Sequence, residues 1–240
     1  MSPWQGGISD DVPHLDAKTK ATLYAGIPVY QRDARSKGVP QLGSGAIYPV
    51  PETELVVPDF QLPPHYPRGY GLDVGWNRTA AIFGALDRDT DILYLYSEHY
   101  KGEAEPVIHA TGIKARGDWI PGRIDPAARG RGQRDGEQLM NDYIQLGLKV
   151  GPAINAVESG IYKVWERLST GRLKVFKSLE SWFGEFRVYR RDEKGHIVKK
   201  NDHLMDATRY LVQECERTDF MKARPVRAMS GQVQTVSYEV

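Results

Sequence analysis

Tyr70–Leu86 reads YGLDVGWNRTAAIFGAL, and after the turn DRDTD the chain resumes as ILYLYSEHY, Ile92–Tyr100. Aliphatic and aromatic runs separated by Asp, Arg and Thr read as strands of a meander. Within the first stands a single acid, Asp73, with Gly71 and Gly75 on either side. Aspartate is depleted in strands and costly to bury unpaired, so the fold has to bring it a cation, a hydrogen-bond donor or a metal ion.

Downstream, EPVIHATGIKARG predicts a helix, WIPGRID a short strand ending at Asp125, and PAARGRGQRDG an arginine- and glycine-rich loop. In EQLMNDYIQLG, Leu139, Tyr143 and Leu146 fall at helical spacing. KVGPAINAV reads as a strand, ESGIYKVWERLSTG as a helix stopped by Gly171, and RLKVFKSL as another strand. FRVYRR and HIVKK around DEKG predict a hairpin. NDHLMDATRYLVQECER is the strongest helix, with Leu204, Thr208, Leu211 and Cys215 as its buried stripe and Asp202, Asp206, Arg209 and Gln213 on a neighbouring face. Three strands followed by alternating helices and strands imply an α/β fold, a mixed β-sheet with flanking helices. Residues 1–66, rich in Pro and Gly, read as a lead-in segment, 67–216 as the folded domain and 217–240 as a flexible polar tail.

Composition narrows the function. Lys and Arg number 32 against 31 Asp and Glu, so a nucleic-acid surface has to come from local clustering of charge. The predicted hairpin supplies it: between Arg187 and Lys200 stand Arg187, Arg190, Arg191, Lys194, Lys199 and Lys200 against only Asp192 and Glu193, a net +4. The single cysteine, Cys215, excludes an internal disulfide and a cysteine-based zinc cluster, and reads as a buried, inert thiol. No signal peptide or membrane span is predicted, and GxxxxGK[ST] is absent.

Four further acids compete as partners for Asp73. Asp125 ends a strand but precedes Pro126, so it serves either as a turn opener or as a ligand at the strand's carboxyl end. Asp202 opens the final helix, either as its N-cap or as a metal ligand. Asp206, one turn on, either pairs with Arg209 or Tyr210 or joins the ligands as an auxiliary acid. Glu158, at a helix start, is better explained by the helix dipole. His203 is a candidate supporting group beside Asp202. Aspartates on the first strand, at a later strand end and at a helix start suit Mg²⁺ or Mn²⁺ rather than zinc. Two such ions about 3.5–4 Å apart would cleave a phosphodiester in line, without a covalent intermediate.

GLDVG followed by a meander, the strand-terminal GRIDP and NDHLMDATRYLV resemble the nuclease domain of tailed-phage terminase large subunits, DNA-packaging proteins with an RNase H-like fold. DVPHL, QRDARSKGVPQLGSGAIYPV and the Pro-rich bridge resemble the segment that joins the terminase ATPase to its nuclease. The resemblance implies a two-metal endonuclease for double-stranded DNA, with Asp73, Asp125 and Asp202 as catalytic metal ligands and Asp206 as auxiliary. Asp202 is placed ahead of Asp206 because the family's acid lies three residues before the position of Met205. It implies a basic hairpin on DNA phosphates, portal protein and terminase small subunit as partners, and work in the bacterial host cytoplasm. It also implies an ATPase domain that this chain lacks. Two other readings remain: an ATPase of the actin or sugar-kinase type with DVGWNRT as its phosphate turn, and a catalytically silent portal- or DNA-binding module.

Overall fold

The computed structural model describes residues 45–126 and 135–225. Much of the predicted lead-in, most of the arginine- and glycine-rich loop and the end of the tail lie outside these. The meander forms as expected: β2 (Arg68–Asp73), β3 (Thr79–Asp87) and β4 (Ile92–Lys101) are antiparallel, with a bulge between Phe83 and Gly84. Every residue of β3 is buried, because it is the middle strand and is covered on both faces. Parallel strands extend the sheet on both sides: β5 (Pro121–Ile124) joins β2 and β6 (Lys149–Pro152) joins β5, while β7 (Leu173–Phe176) joins β4 and β1 (Val56–Val57) joins β7. The resulting order is β1-β7-β4-β3-β2-β5-β6, a mixed seven-stranded sheet.

The helices are α1 (Glu52–Leu55), α2 (Pro106–Lys114), α3 (Asp135–Gln145), α4 (Val157–Ser169), α5 (Glu180–Phe186) and α6 (His203–Val212). Ala110, Ile113 and Tyr143 from α2 and α3 pack with Tyr70, Leu72 and Ile124 on one face of the sheet. On the other face α4, α5 and α6 bury Val164, Leu168, Trp182, Leu204 and Leu211 against Ala80, Ile82 and Leu95.

Helix α6 lies directly on β2 and β3. A Cβ on Gly71 would stand 1.9 Å from the Ala207 carbonyl oxygen, so only glycine lets the helix backbone approach the strand this closely. The helix is enclosed more completely than its pattern suggests: Leu204 through Val212 are all buried. The polar face is buried too, because α4 covers it; Gly160 meets the Arg209 stem, and Gln213 Nε2 donates to the Ala156 carbonyl at 2.9 Å.

Helix α5 precedes the first arm of the predicted hairpin and takes from it Phe186 alone. Its aromatic residues carry strand propensity, but burial of Trp182 and Phe183 decides otherwise, with Trp182 Nε1 donating to Thr208 Oγ1 at 2.9 Å. Glu98 from β4 caps the helix by accepting from the Ser181 and Trp182 amides at 3.0 and 2.9 Å. The hairpin itself forms in short: Arg191 bridges Ile197, the Val198 amide donates to the Arg190 carbonyl at 3.0 Å and the Asp192 amide to the His196 carbonyl at 2.8 Å. The predicted strand KVGPAINAV is likewise shortened to Lys149–Pro152.

Packing crosses both expected domain boundaries. Tyr48, Leu55 and Leu62 belong to the core that the expected domain builds, so the limit at residue 66 falls inside the packed unit. The limit at 216 does as well: Phe220 and Met221 are buried, and Lys222 exchanges backbone hydrogen bonds with Arg68 at 2.7 and 3.1 Å.

Candidate metal centre

Strand register sets the first two acids. Leu72 pairs with Ile124 across the parallel β2–β5 ladder, and the Asp125 amide continues the pattern by donating to the Leu72 carbonyl at 2.9 Å. Asp73 and Asp125 therefore leave adjacent strands at one level, about 4.8 Å apart along the hydrogen-bonding direction. Leu72 and Ile124 are buried on the α2–α3 face, and the alternation of strand side chains sends the acids that follow them to the α6 face. Gly71, two residues before Asp73, shares that face, so the glycine that admits the helix also brings its first turn over the acid.

That turn supplies the rest. His203 Nδ1 lies 2.8 Å from Asp73 Oδ2, which makes this histidine the direct partner of the largely buried strand acid. Burial, opposed by the His203 hydrogen bond and reinforced by the charges of Asp206 and Asp125, raises the Asp73 carboxyl to about 6. The Asp73 hydrogen bond in turn raises the imidazole above its ordinary value. Buried Tyr210 is held protonated first by its burial and then by the fields of Asp125, Asp206 and Asp73. The charges of Asp125 and Asp206 thus bear on both Asp73 and Tyr210.

Asp202 occupies the N-cap position of α6 yet makes no capping hydrogen bond. Glu185 from α5 does that work, with Oε2 accepting from the Leu204 amide at 2.6 Å and from the Met205 amide at 3.4 Å. Released from the helix end, Asp202 turns to Lys199, whose Nζ lies 3.1 Å from Asp202 Oδ2 and 3.1 Å from Asp206 Oδ2. Asp206 additionally receives Arg209 at 3.1 Å, one of the two partners its spacing suggested. Glu158 pairs with Arg191 at 2.7 Å.

The donors around Asp73 are carboxylate oxygens with one imidazole at the edge, a set that suits a hard divalent cation. Lys199, His203 and Arg209 lie against these acids. Among the described residues no three acids or histidines stand close enough to hold one ion together.

The basic segment is divided in its allegiance. Arg187 is paired with Glu52 through two hydrogen bonds, Arg191 with Glu158, and Lys199 with the acids. Arg190, Lys194 and Lys200 form no ion pair among the described residues. Arg187, Arg190 and Lys200 line a groove of about 360 Å³ together with Val188, Val198 and Asn201.

The roles of Lys199 and Glu185 were missed in the sequence. Lys199 was read as a DNA contact, although its place three residues before Asp202 put it within reach of that acid. Glu185 gave no local signal, because it caps a helix that begins 18 residues later.

Comparison with known proteins places these observations. A family model described as "Terminase RNaseH-like domain" matches residues 70–214. The terminase large subunit of Salmonella phage P22 is 35% identical over 208 residues, covering 83% of this chain and 42% of that protein. The chain spans less than half the length of the curated relatives it matches. The solved nuclease domain of the P22 large terminase superposes with a TM-score of 0.69 at 34% identity, covering 76% of this chain and 96% of that one. The large terminase nuclease domain of bacteriophage SPP1, solved with bound Mn, shares the fold at a TM-score of 0.53 and 18% identity, covering 69% of this chain and 99% of its own.

Proposed function

The chain belongs to the terminase RNase H-like domain family, and on that footing we propose that it is a divalent-metal-dependent endonuclease for double-stranded DNA, the nuclease part of a viral genome-packaging terminase. The observation that carries the reading is Asp73: a largely buried strand acid, level with Asp125, lying under the α6 turn that bears Asp206 and held by His203.

Asp73, Asp125 and Asp206 would hold the metal, Mg²⁺ or Mn²⁺. Asp206 is put ahead of Asp202 because its charge bears on Asp73 together with that of Asp125, while Lys199 pairs with both helix acids alike. Asp202 is the auxiliary acid, within reach of a second ion. Bound divalent cations supply the Lewis acidity that activates water and stabilises the leaving oxygen of the cut strand. The chain's own groups prepare for that chemistry. His203 orients the Asp73 carboxylate, and Glu185 fixes the helix turn that carries Asp206. Arg190 and Lys200 offer their groove to backbone phosphates, a contact that holds DNA without reading its sequence.

In a packaging complex the partners would be the portal protein, the terminase small subunit and an ATPase domain. The setting would be the host cytoplasm. Among the described residues no helix is long and apolar enough to cross a membrane.

The direct test is nicking of supercoiled plasmid. The chain should convert it to open-circle and linear forms with Mn²⁺ or Mg²⁺, and excess EDTA should stop the reaction. Intact plasmid at every metal concentration would refute the proposal.

A pH dependence follows from Asp73. Its folded carboxyl titrates near 6, above the ordinary value of 3.8, so its protonation favours the fold. That contribution is complete below about pH 4 and is lost as pH rises through 6. His203, also raised, loses its contribution in the same sense as it deprotonates. A metal ion compensates only once Asp73 is ionised, so the Mn²⁺-induced rise in Tm should be small at pH 5 and several degrees larger at pH 8. Differential scanning fluorimetry with MnCl₂ checks this, and an equal or larger rise at pH 5 contradicts it.

A further inference from the structure

Lys199 stands apart from the other cations of the basic segment. Its ammonium lies 3.1 Å from a carboxylate oxygen of each of two acids one helical turn apart, Asp202 and Asp206. Those carboxylates are nearly buried, with side-chain exposures of 9% and 12%, while the lysine side chain that reaches them is 62% exposed. Two unscreened carboxylates at i and i+4 repel each other, and the ammonium removes that repulsion. It also takes up oxygen lone pairs that an entering cation would need.

The location of the lysine suggests what moves it. Its neighbours in sequence, Val198 and Lys200, line the groove that also presents Arg187 and Arg190. The segment is held in a tight turn, with the Lys200 amide donating to the Val198 carbonyl at 2.9 Å and Asn201 in the left-handed region at φ 54°. Lys199 therefore arises at the rim of the groove and points away from it into the acids. A DNA phosphate in the groove is an alternative anion within the sweep of its flexible four-carbon stem.

We propose that Lys199 is a DNA-responsive gate on the metal site: its ammonium screens Asp202 and Asp206 in the free protein, and a backbone phosphate draws it out so that the acids can take a divalent cation. This rests on the reading of the Asp73 cluster as a metal centre. By linkage, DNA then raises metal affinity and metal raises DNA affinity by the same factor, which keeps the free protein poorly loaded.

The test is calorimetric titration with MnCl₂ alone, without DNA, on the wild type, Lys199→Gln and Lys199→Arg. Removing a cation that is ion-paired with two carboxylates should tighten Mn²⁺ binding by about tenfold in Lys199→Gln. Lys199→Arg keeps the charge and should bind as the wild type does. Melting gives a second readout: Lys199→Gln should have a lower Tm than the wild type in EDTA and a larger rise on adding MnCl₂. If Mn²⁺ binds all three proteins equally, or Lys199→Gln more weakly, the gate is overturned while the metal centre stands. If Mn²⁺ binds none of them, the metal reading itself fails and takes the gate with it.

Discussion

The Asp73→Asn variant is expected to lose plasmid nicking in Mn²⁺ by at least about a thousandfold, ~4 kcal/mol of transition-state stabilisation, without losing its fold. The amide is nearly isosteric and can still meet His203, but it carries no charge for a cation. Because the wild-type carboxylate is buried near two other acids, which raises it to about 6, the neutral side chain relieves a cost of folding. Urea denaturation at pH 8 in EDTA should therefore find Asp73→Asn at least as stable as the wild type, with the advantage vanishing at pH 4. Activity lost together with stability would point to a structural acid instead. In the same assay Asp125→Asn and Asp206→Asn should fall by a similar factor and Asp202→Asn, the proposed auxiliary acid, by much less, about tenfold. Equal losses at 202 and 206 would restore Asp202 to the principal ligands.

The second large effect belongs to packing. In Gly71→Ala the added methyl meets the Ala207 carbonyl oxygen at 1.9 Å, its carbon at 2.8 Å and the Leu211 amide nitrogen at 3.1 Å, all of them helix backbone with no rotamer to yield. Either α6 lifts from the sheet or β2 bends, and both disturb Asp73 and Asp206 at once. Overpacking of this kind costs roughly 3 kcal/mol or more. The expected result is a large fall in the urea midpoint, with nicking greatly reduced even in the protein that remains folded. Gly184→Ala is the matched control: nothing lies within 4 Å of its added methyl, and its helical position predicts a change between zero and about 1 kcal/mol in the stabilising direction. Gly71→Ala no more damaging than Gly184→Ala would remove the close helix–strand contact from the account.

These variants also mark what the sequence could disclose. The meander, β5 ending next to Asp125 and the position of α6 were legible because each rests on local periodicity and punctuation, and the motifs GLDVG, GRIDP and NDHLMDATRYLV pointed to the family. Asp73 was legible because an acid inside an apolar strand requires an explanation. Helix α5 was not, since it is fixed by Trp182 meeting Thr208 and by Glu98 capping its first turn, both distant in sequence. Each of Asp202 and Asp206 is plausible at a helix start, and placing Asp206 first is our proposal, drawn from its charge bearing on Asp73 beside that of Asp125. The boundary at 216 missed Phe220 and Met221 because two apolar residues in a polar stretch carry no period, though they close the core.

The central claim is that acids of β2, β5 and α6 converge on a divalent cation, and anomalous diffraction from a crystal soaked in MnCl₂ tests it most directly. The account predicts an anomalous peak within about 2.4 Å of carboxylate oxygens of Asp73, Asp125 and Asp206, with Lys199 displaced from the position it holds between Asp202 and Asp206. A well-ordered soak with no peak at Asp73, or with manganese bound only elsewhere on the surface, would contradict it.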